Sequence, residues 1–65
     1  VNKIKELRTK LEMTVRELSE KSSVAVGYIS TLENDSTGDT NPTKDVMERI
    51  SFALNASVPE VFYQS

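Results

Sequence analysis

At 65 residues, with 8 basic and 10 acidic side chains and a net charge of −2, the chain has room for one small domain whose core comes from a few packed helices. It contains no cysteine and no histidine, which excludes disulfide staples, thiolate metal sites and an imidazole base or zinc ligand, and no cofactor is expected. No apolar run approaches the ~20 residues that cross a bilayer, and no charged-then-apolar leader opens the chain. The expectation is a soluble cytoplasmic protein with no membrane partner.

The charge is unevenly placed. Residues 1–21 carry six basic and four acidic side chains, a net +2, whereas residues 22–65 carry two basic and six acidic, a net −4. The overall balance argues against a protein that grips any polyanion, because non-specific DNA affinity grows with the number of phosphates neutralised. The positive charge gathers in the first third of the chain.

In chain order, Ile4, Leu7 and Leu11 recur at helical spacing and predict a first helix over about residues 2–12, with a narrow apolar stripe. A second helix opens at Thr14, which forms a capping box with Glu17, while Met13 and Leu18 take the hydrophobic staple positions. Lys21-Ser22-Ser23-Val24 is the turn that follows. A residue near Ser23 has to adopt a left-handed backbone there, which serine tolerates less well than glycine. A third helix over about residues 25–33 turns Tyr28, Ile29 and Leu32 inward and Val26, Gly27, Ser30 and Thr31 outward. Ala25 is a poor N-cap and Gly27 lowers helix propensity by ~1 kcal/mol, so packing has to hold this helix. Two short helices around a tight turn, with Leu18, Ile29 and Leu32 filling the angle between them, are a helix-turn-helix pattern.

Residues 35–42 are polar and rich in turn formers, and a mobile loop is expected there. Thr43 caps a fourth helix with Asp45 in its positive first turn, and Val46, Met47, Ile50, Ala53 and Leu54 form a broad apolar stripe ending at Asn55. Ser57 and Glu60 repeat the capping box with Pro59 in the first turn. They open a short fifth helix that carries Val58, Val61, Phe62 and Tyr63, with Val61 the best placed to close the core. The predicted fold is all-α, a five-helix bundle.

These residues together resemble the Cro and lambda-repressor type of helix-turn-helix, the XRE family. The resemblance rests on Ile4-Lys5-Glu6-Leu7-Arg8, on Met13 to Lys21, and on Val24 followed by Tyr28-Ile29-Ser30-Thr31-Leu32-Glu33-Asn34. Asn41-Pro42-Thr43, then Ala53 to Ser57 and Val61-Phe62, complete it. It implies a lambda-repressor-like bundle that binds double-stranded DNA as a transcriptional regulator. It further implies that helix 3 enters the major groove, that the starts of helices 2 and 4 grip phosphates, and that Arg8 and Glu33 form a structural ion pair. The sequence departs from the family pattern at Val15, where a phosphate-holding glutamine is usual, at Ser23 for the turn glycine, and at Ala25 for the capping hydroxyl. Val26 and Gly27 stand where polar or basic base-reading side chains are common, and Asp35 stands where glycine is.

On that reading Ala25 and Val26 touch thymine methyls, Gly27 permits close backbone approach, and Ser30 and Thr31 lie on the base-facing side. No Arg, Gln or Asn sits early in helix 3 for bidentate readout, so specificity leans on apolar contacts and DNA shape. Thr14 and Val15, with Arg16 beside them, present the free amides of helix 2 to one phosphate, and Thr43 with Lys44 does so at helix 4. Arg16 and Lys10 are the basic side chains placed to approach the backbone. For Tyr28 two readings stand side by side: a hydroxyl on a third phosphate, or a core ring with an exposed tip. Val58, Phe62 and Tyr63 hold apolar surface for a homodimer contact on a near-palindromic operator.

No catalytic function is expected, because the carboxylates are scattered without a convergent base or nucleophile. Asp35 and Asp39 lack the ligand series of a calcium loop and read as solvated charges. The rival to a DNA-binding repressor is a protein-interaction module on the same fold, suggested by Val15, Val26 and the net negative charge.

Overall fold

A computed structural model of the chain describes residues 2–35 and 41–63, and among these residues it contains five helices and no strand. They are α1 (Ile4–Lys10), α2 (Val15–Ser22), α3 (Val26–Glu33), α4 (Lys44–Ala53) and α5 (Val58–Phe62). The expected mobile loop falls largely on residues 36–40, outside the described residues.

Four of the five helix starts are capped by a side chain. Thr14 and Ser57 both make reciprocal boxes: the Glu17 amide donates to the Thr14 hydroxyl at 3.0 Å and the Thr14 amide to the Glu17 carboxylate at 2.9 Å, and Ser57 and Glu60 repeat the pair at 3.3 and 2.9 Å. Thr43 accepts from the Val46 amide at 3.2 Å. At α1 the cap comes from Asn2, whose side-chain oxygen accepts from the Ile4 amide at 3.1 Å. The Asn2 side-chain amide also donates to the Leu32 carbonyl at 2.9 Å, and the Lys3 amide donates to the Val61 carbonyl at 2.9 Å. The start of the chain is thereby tied to the ends of both α3 and α5.

Three of the helix ends, those of α1, α2 and α4, depend on left-handed residues. α1 stops at Lys10, two residues short of the sequence expectation, because Glu12 takes φ 53° and lets the Met13 amide reach back to Arg8 O and the Glu12 amide to Thr9 O. That turn breaks the helical phase. Leu11, expected in the apolar stripe, is 45 % exposed instead, and Met13 takes the core place. The same pair of bonds closes α4 around Asn55 at φ 57°, from Ala56 to Ser51 and from Asn55 to Phe52.

The core is one cluster drawn from every helix and from the connections between them: Ile4, Met13, Leu18, Val24, Ile29, Leu32, Ile50, Leu54 and Val61. α2 packs against both α3 and α4, α1 against α3 and α5, and α4 against α5. The α2–α3 turn is held by three serine hydroxyl bonds. Ser22 Oγ donates to Leu18 O at 2.7 Å and accepts from the Val24 amide at 3.3 Å, while Ser19 Oγ donates to Val24 O at 2.6 Å. Ser23 itself sits at φ 60°, the left-handed conformation expected of it, with its amide on Ser19 O.

That conformation costs a serine roughly 1–2 kcal/mol. Glycine would relieve it, offset by its own greater freedom in the unfolded chain, about 0.4–1 kcal/mol. Ser23→Gly is therefore expected to raise stability by roughly 0.5–1 kcal/mol in urea denaturation. A loss of stability would show that residue 23 does not adopt the left-handed region in solution.

Candidate nucleic-acid interface

α3 is two-faced. Ile29 and Leu32 are buried at 0 and 2 % exposure, whereas Val26 is 44 % exposed and Ala25, Gly27 and Thr31 are open to solvent. Ser30 and Tyr28 are half-buried, and Tyr28 packs against the core. Ala25 makes no side-chain capping bond, so the first-turn amides of α3 have no partner from it. A Cβ added at Gly27 would meet nothing within 4 Å, so packing does not require a glycine there. The Thr31 hydroxyl donates to the Gly27 carbonyl at 2.9 Å, one turn back on the same face.

The starts of α2 and α4 present amides beside basic side chains. The capping box takes up the Thr14 and Glu17 amides, leaving those of Val15 and Arg16 in the first turn without a helical acceptor. The Val15 side chain packs against the core, so the polar group it has at the helix start is its backbone N–H, while Thr14 and Arg16 are exposed. Thr43 and Lys44 stand exposed at the start of α4, with Asp45 turned to Arg49 at 3.0 Å. Hydrogen bonds from the Thr14 amide and then its hydroxyl hold the Glu17 carboxyl below its ordinary value of 4.5, with Lys21 contributing less. Glu60 is lowered in the same way by Ser57.

The inner side of α3 is fixed by a charged fork. Arg8 Nε donates to Glu33 Oε2 at 2.8 Å and Nη2 to Glu33 Oε1 at 3.1 Å, while Nη1 donates to the Met13 carbonyl at 2.9 Å. Both side chains are largely withdrawn from water, at 14 and 7 % exposure. A bidentate pair of this kind sets orientation as well as distance.

The helix-turn-helix family profile matches residues 4–61, from the first core residue of α1 to the last of α5. The chain belongs to the helix-turn-helix family, in its XRE branch. Comparison with curated proteins and with solved structures gave no match. As a helix-turn-helix protein it falls in a family of DNA-binding transcription regulators. Among the described residues no helix is long and apolar enough to cross a membrane, and no cluster of three or more acidic, histidine or cysteine side chains is arranged to hold a metal.

Sequence reasoning missed two kinds of residue in this helix-turn-helix protein. Asn2 and the serines at 19 and 22 position α3 through side-chain bonds to backbone atoms distant in sequence or across the turn, which no periodicity signals. Phe52 is 84 % exposed on α4. Its place outside the 46–50–54 stripe was the available clue to that exposure.

Removing either partner of the fork strands a charge with little access to water, so Arg8→Ala or Glu33→Ala is expected to lower stability by about 3 kcal/mol. The paired apolar variant Arg8→Met/Glu33→Leu is expected to be more stable than either single change in chemical denaturation. Equal stability of all three would mean that the pair is solvated. The two lowered carboxyls give a pH dependence with a definite sign. Their folded values lie below 4.5, so their contribution is present above that pH and is lost as pH falls through the folded values. Urea midpoints should drop with acidification, and drop less in Glu17→Gln/Glu60→Gln; an identical drop would place the sensitive groups elsewhere.

Proposed function

We propose that the protein is a sequence-specific transcriptional repressor that occupies a near-palindromic operator as a homodimer, with the outer face of α3 in the major groove. The observation that carries this reading is the outer surface of α3, with Ala25, Val26, Gly27 and Thr31 open to solvent while Ile29, Leu32 and Glu33 are held within the bundle. Thr14, Val15 and Arg16 at α2 and Thr43 with Lys44 at α4 are the phosphate grips. They supply the sequence-independent part of the affinity, and α3 supplies the discrimination. Tyr28 adds a hydroxyl at the edge of this surface, and Ser30 a half-buried one. Repression then follows from occupancy, since a bound dimer covers the duplex against other proteins.

The second copy meets the first through α5 and its neighbour. Val58 and Phe62 are half-buried, Tyr63 is 63 % exposed with its hydroxyl 3.8 Å from Met47 Sδ, and Phe52 on α4 is a further exposed apolar side chain. A two-fold contact there sets two α3 helices about 34 Å apart, one turn of DNA.

The second reading, a protein-interaction module on the same fold, is favoured by the absence of charge on the outer face of α3 and by the net charge of −2. Selection of bound duplexes from a random pool, followed by salt titration, separates the two. A repressor recovers an inverted repeat and shows a steep log–log salt slope. Arg16→Ala and Lys44→Ala should each reduce that slope by about 1 without changing the preferred bases, and Val26→Arg should change them. No recovered sequence and a flat salt response would select the interaction module.

A further inference from the structure

Phe52, at 84 % exposure, is the most exposed large apolar side chain among the described residues. It shares the outer face of α4 with Asp45, Glu48 and Arg49, all exposed and one or two turns before it. Arg49 is long enough to lie over a neighbouring ring, but helical side chains lean toward the helix start. Its Nε lies 3.0 Å from Asp45 Oδ2, so the guanidinium is drawn away from Phe52 and the ring stays uncovered. This face is separate from the one that meets α5. Met47, whose Sδ takes the Tyr63 hydroxyl, stands five positions before Phe52, about 140° around the helix.

One helix face thus presents a planar cation and a bare aromatic ring three residues apart. Under an antiparallel two-fold contact, residue i meets residue j of the other copy and j meets i, so each ring reaches the other copy's cation. We propose that the outer face of α4 is a homotypic docking surface, on which a second copy seats its own α4 antiparallel and each Phe52 ring covers the partner's Arg49. A guanidinium over an aromatic face is attracted by the ring quadrupole, and Asp45 already holds this one in place. The occupant is a second copy because the face supplies both halves of the contact. Size then sets its strength. Two fully covered rings bury about 300–500 Å², against roughly 1,200–2,000 Å² in a stable interface. Copies therefore do not stay paired through α4 in dilute solution, and the contact acts where something else holds them close. The contact is independent of how α3 is used, whereas its consequence on DNA rests on the repressor reading: occupants of adjacent operators touch through α4 and fill those sites cooperatively.

The test follows amide chemical shifts of the full chain, without DNA, as its concentration is raised into the millimolar range. Shifts over residues 45–56 are expected to move. Phe52→Ser and Arg49→Ala, both at exposed positions, should each abolish that movement while the spectrum of α1 to α3 stays that of the parent chain. Movement confined to residues 58–63, movement at 45–56 that survives both substitutions, or no movement at 45–56 would overturn the α4 contact and leave the repressor reading in place. On a duplex carrying two selected sites side by side, the second site should fill at least about fivefold more tightly than an isolated one, the low end of ordinary coupling between sites. That ratio should fall to one in Phe52→Ser. A ratio of one in the parent chain at every spacing of the two sites would overturn the cooperative role. Failure to select any duplex would overturn the repressor reading alone, with the concentration series still deciding the contact.

Discussion

Arg8 joins three segments at once: α1, which carries it, the passage into α2 through the Met13 carbonyl, and the end of α3 through Glu33. Desolvating two charges cancels much of what their attraction gains, so the fork's contribution lies chiefly in geometry. It fixes where α3 ends relative to α1 with two directed hydrogen bonds, and Asn2 adds a third at Leu32. Apolar burial of Ile29 and Leu32 supplies adhesion, but apolar contacts alone tolerate sliding and rotation. The polar bonds at the end of the helix restrict both, and so keep one side of α3 outward.

A division of labour follows from that arrangement. Charge and free amides lie at the starts of α2 and α4, where Arg16 and Lys44 stand exposed, whereas the outer surface of α3 is nearly devoid of charge. In the docking proposed above, such a surface gains little from long-range attraction and relies on its flanks to deliver it to the groove. Its small side chains also permit closer approach than long basic ones would. The net charge of −2 works in the same direction, since a negative balance weakens attachment to arbitrary duplexes.

Much of the bundle was legible in the residues, because capping boxes at Thr14 and Ser57 and the spacing of Leu18, Ile29, Leu32, Ile50 and Val61 are local signals with one structural outcome. The left-handed backbone at Ser23 was legible for the same reason. Leu11 continues the apolar spacing of α1 and so predicts a longer helix than forms, and only the left-handed backbone at Glu12 reveals that the chain has already turned. The outward side of α3 could be read from periodicity. The engagement of Thr31 with the Gly27 carbonyl could not, since a threonine looks the same in sequence whether or not its proton is spent. Asn2, Ser19 and Ser22 were likewise silent, as their partners lie across turns or at the far end of another helix.

Amide chemical shifts recorded while the protein is titrated with its selected duplex test most directly whether the outer side of α3 meets the bases. The largest changes are expected at residues 25–31, with a second group at Val15, Arg16 and Lys44. Changes confined to the groove between α1 and α5, lined by Lys3, Glu6, Lys10, Glu60 and Tyr63, with residues 25–31 unmoved, would contradict it.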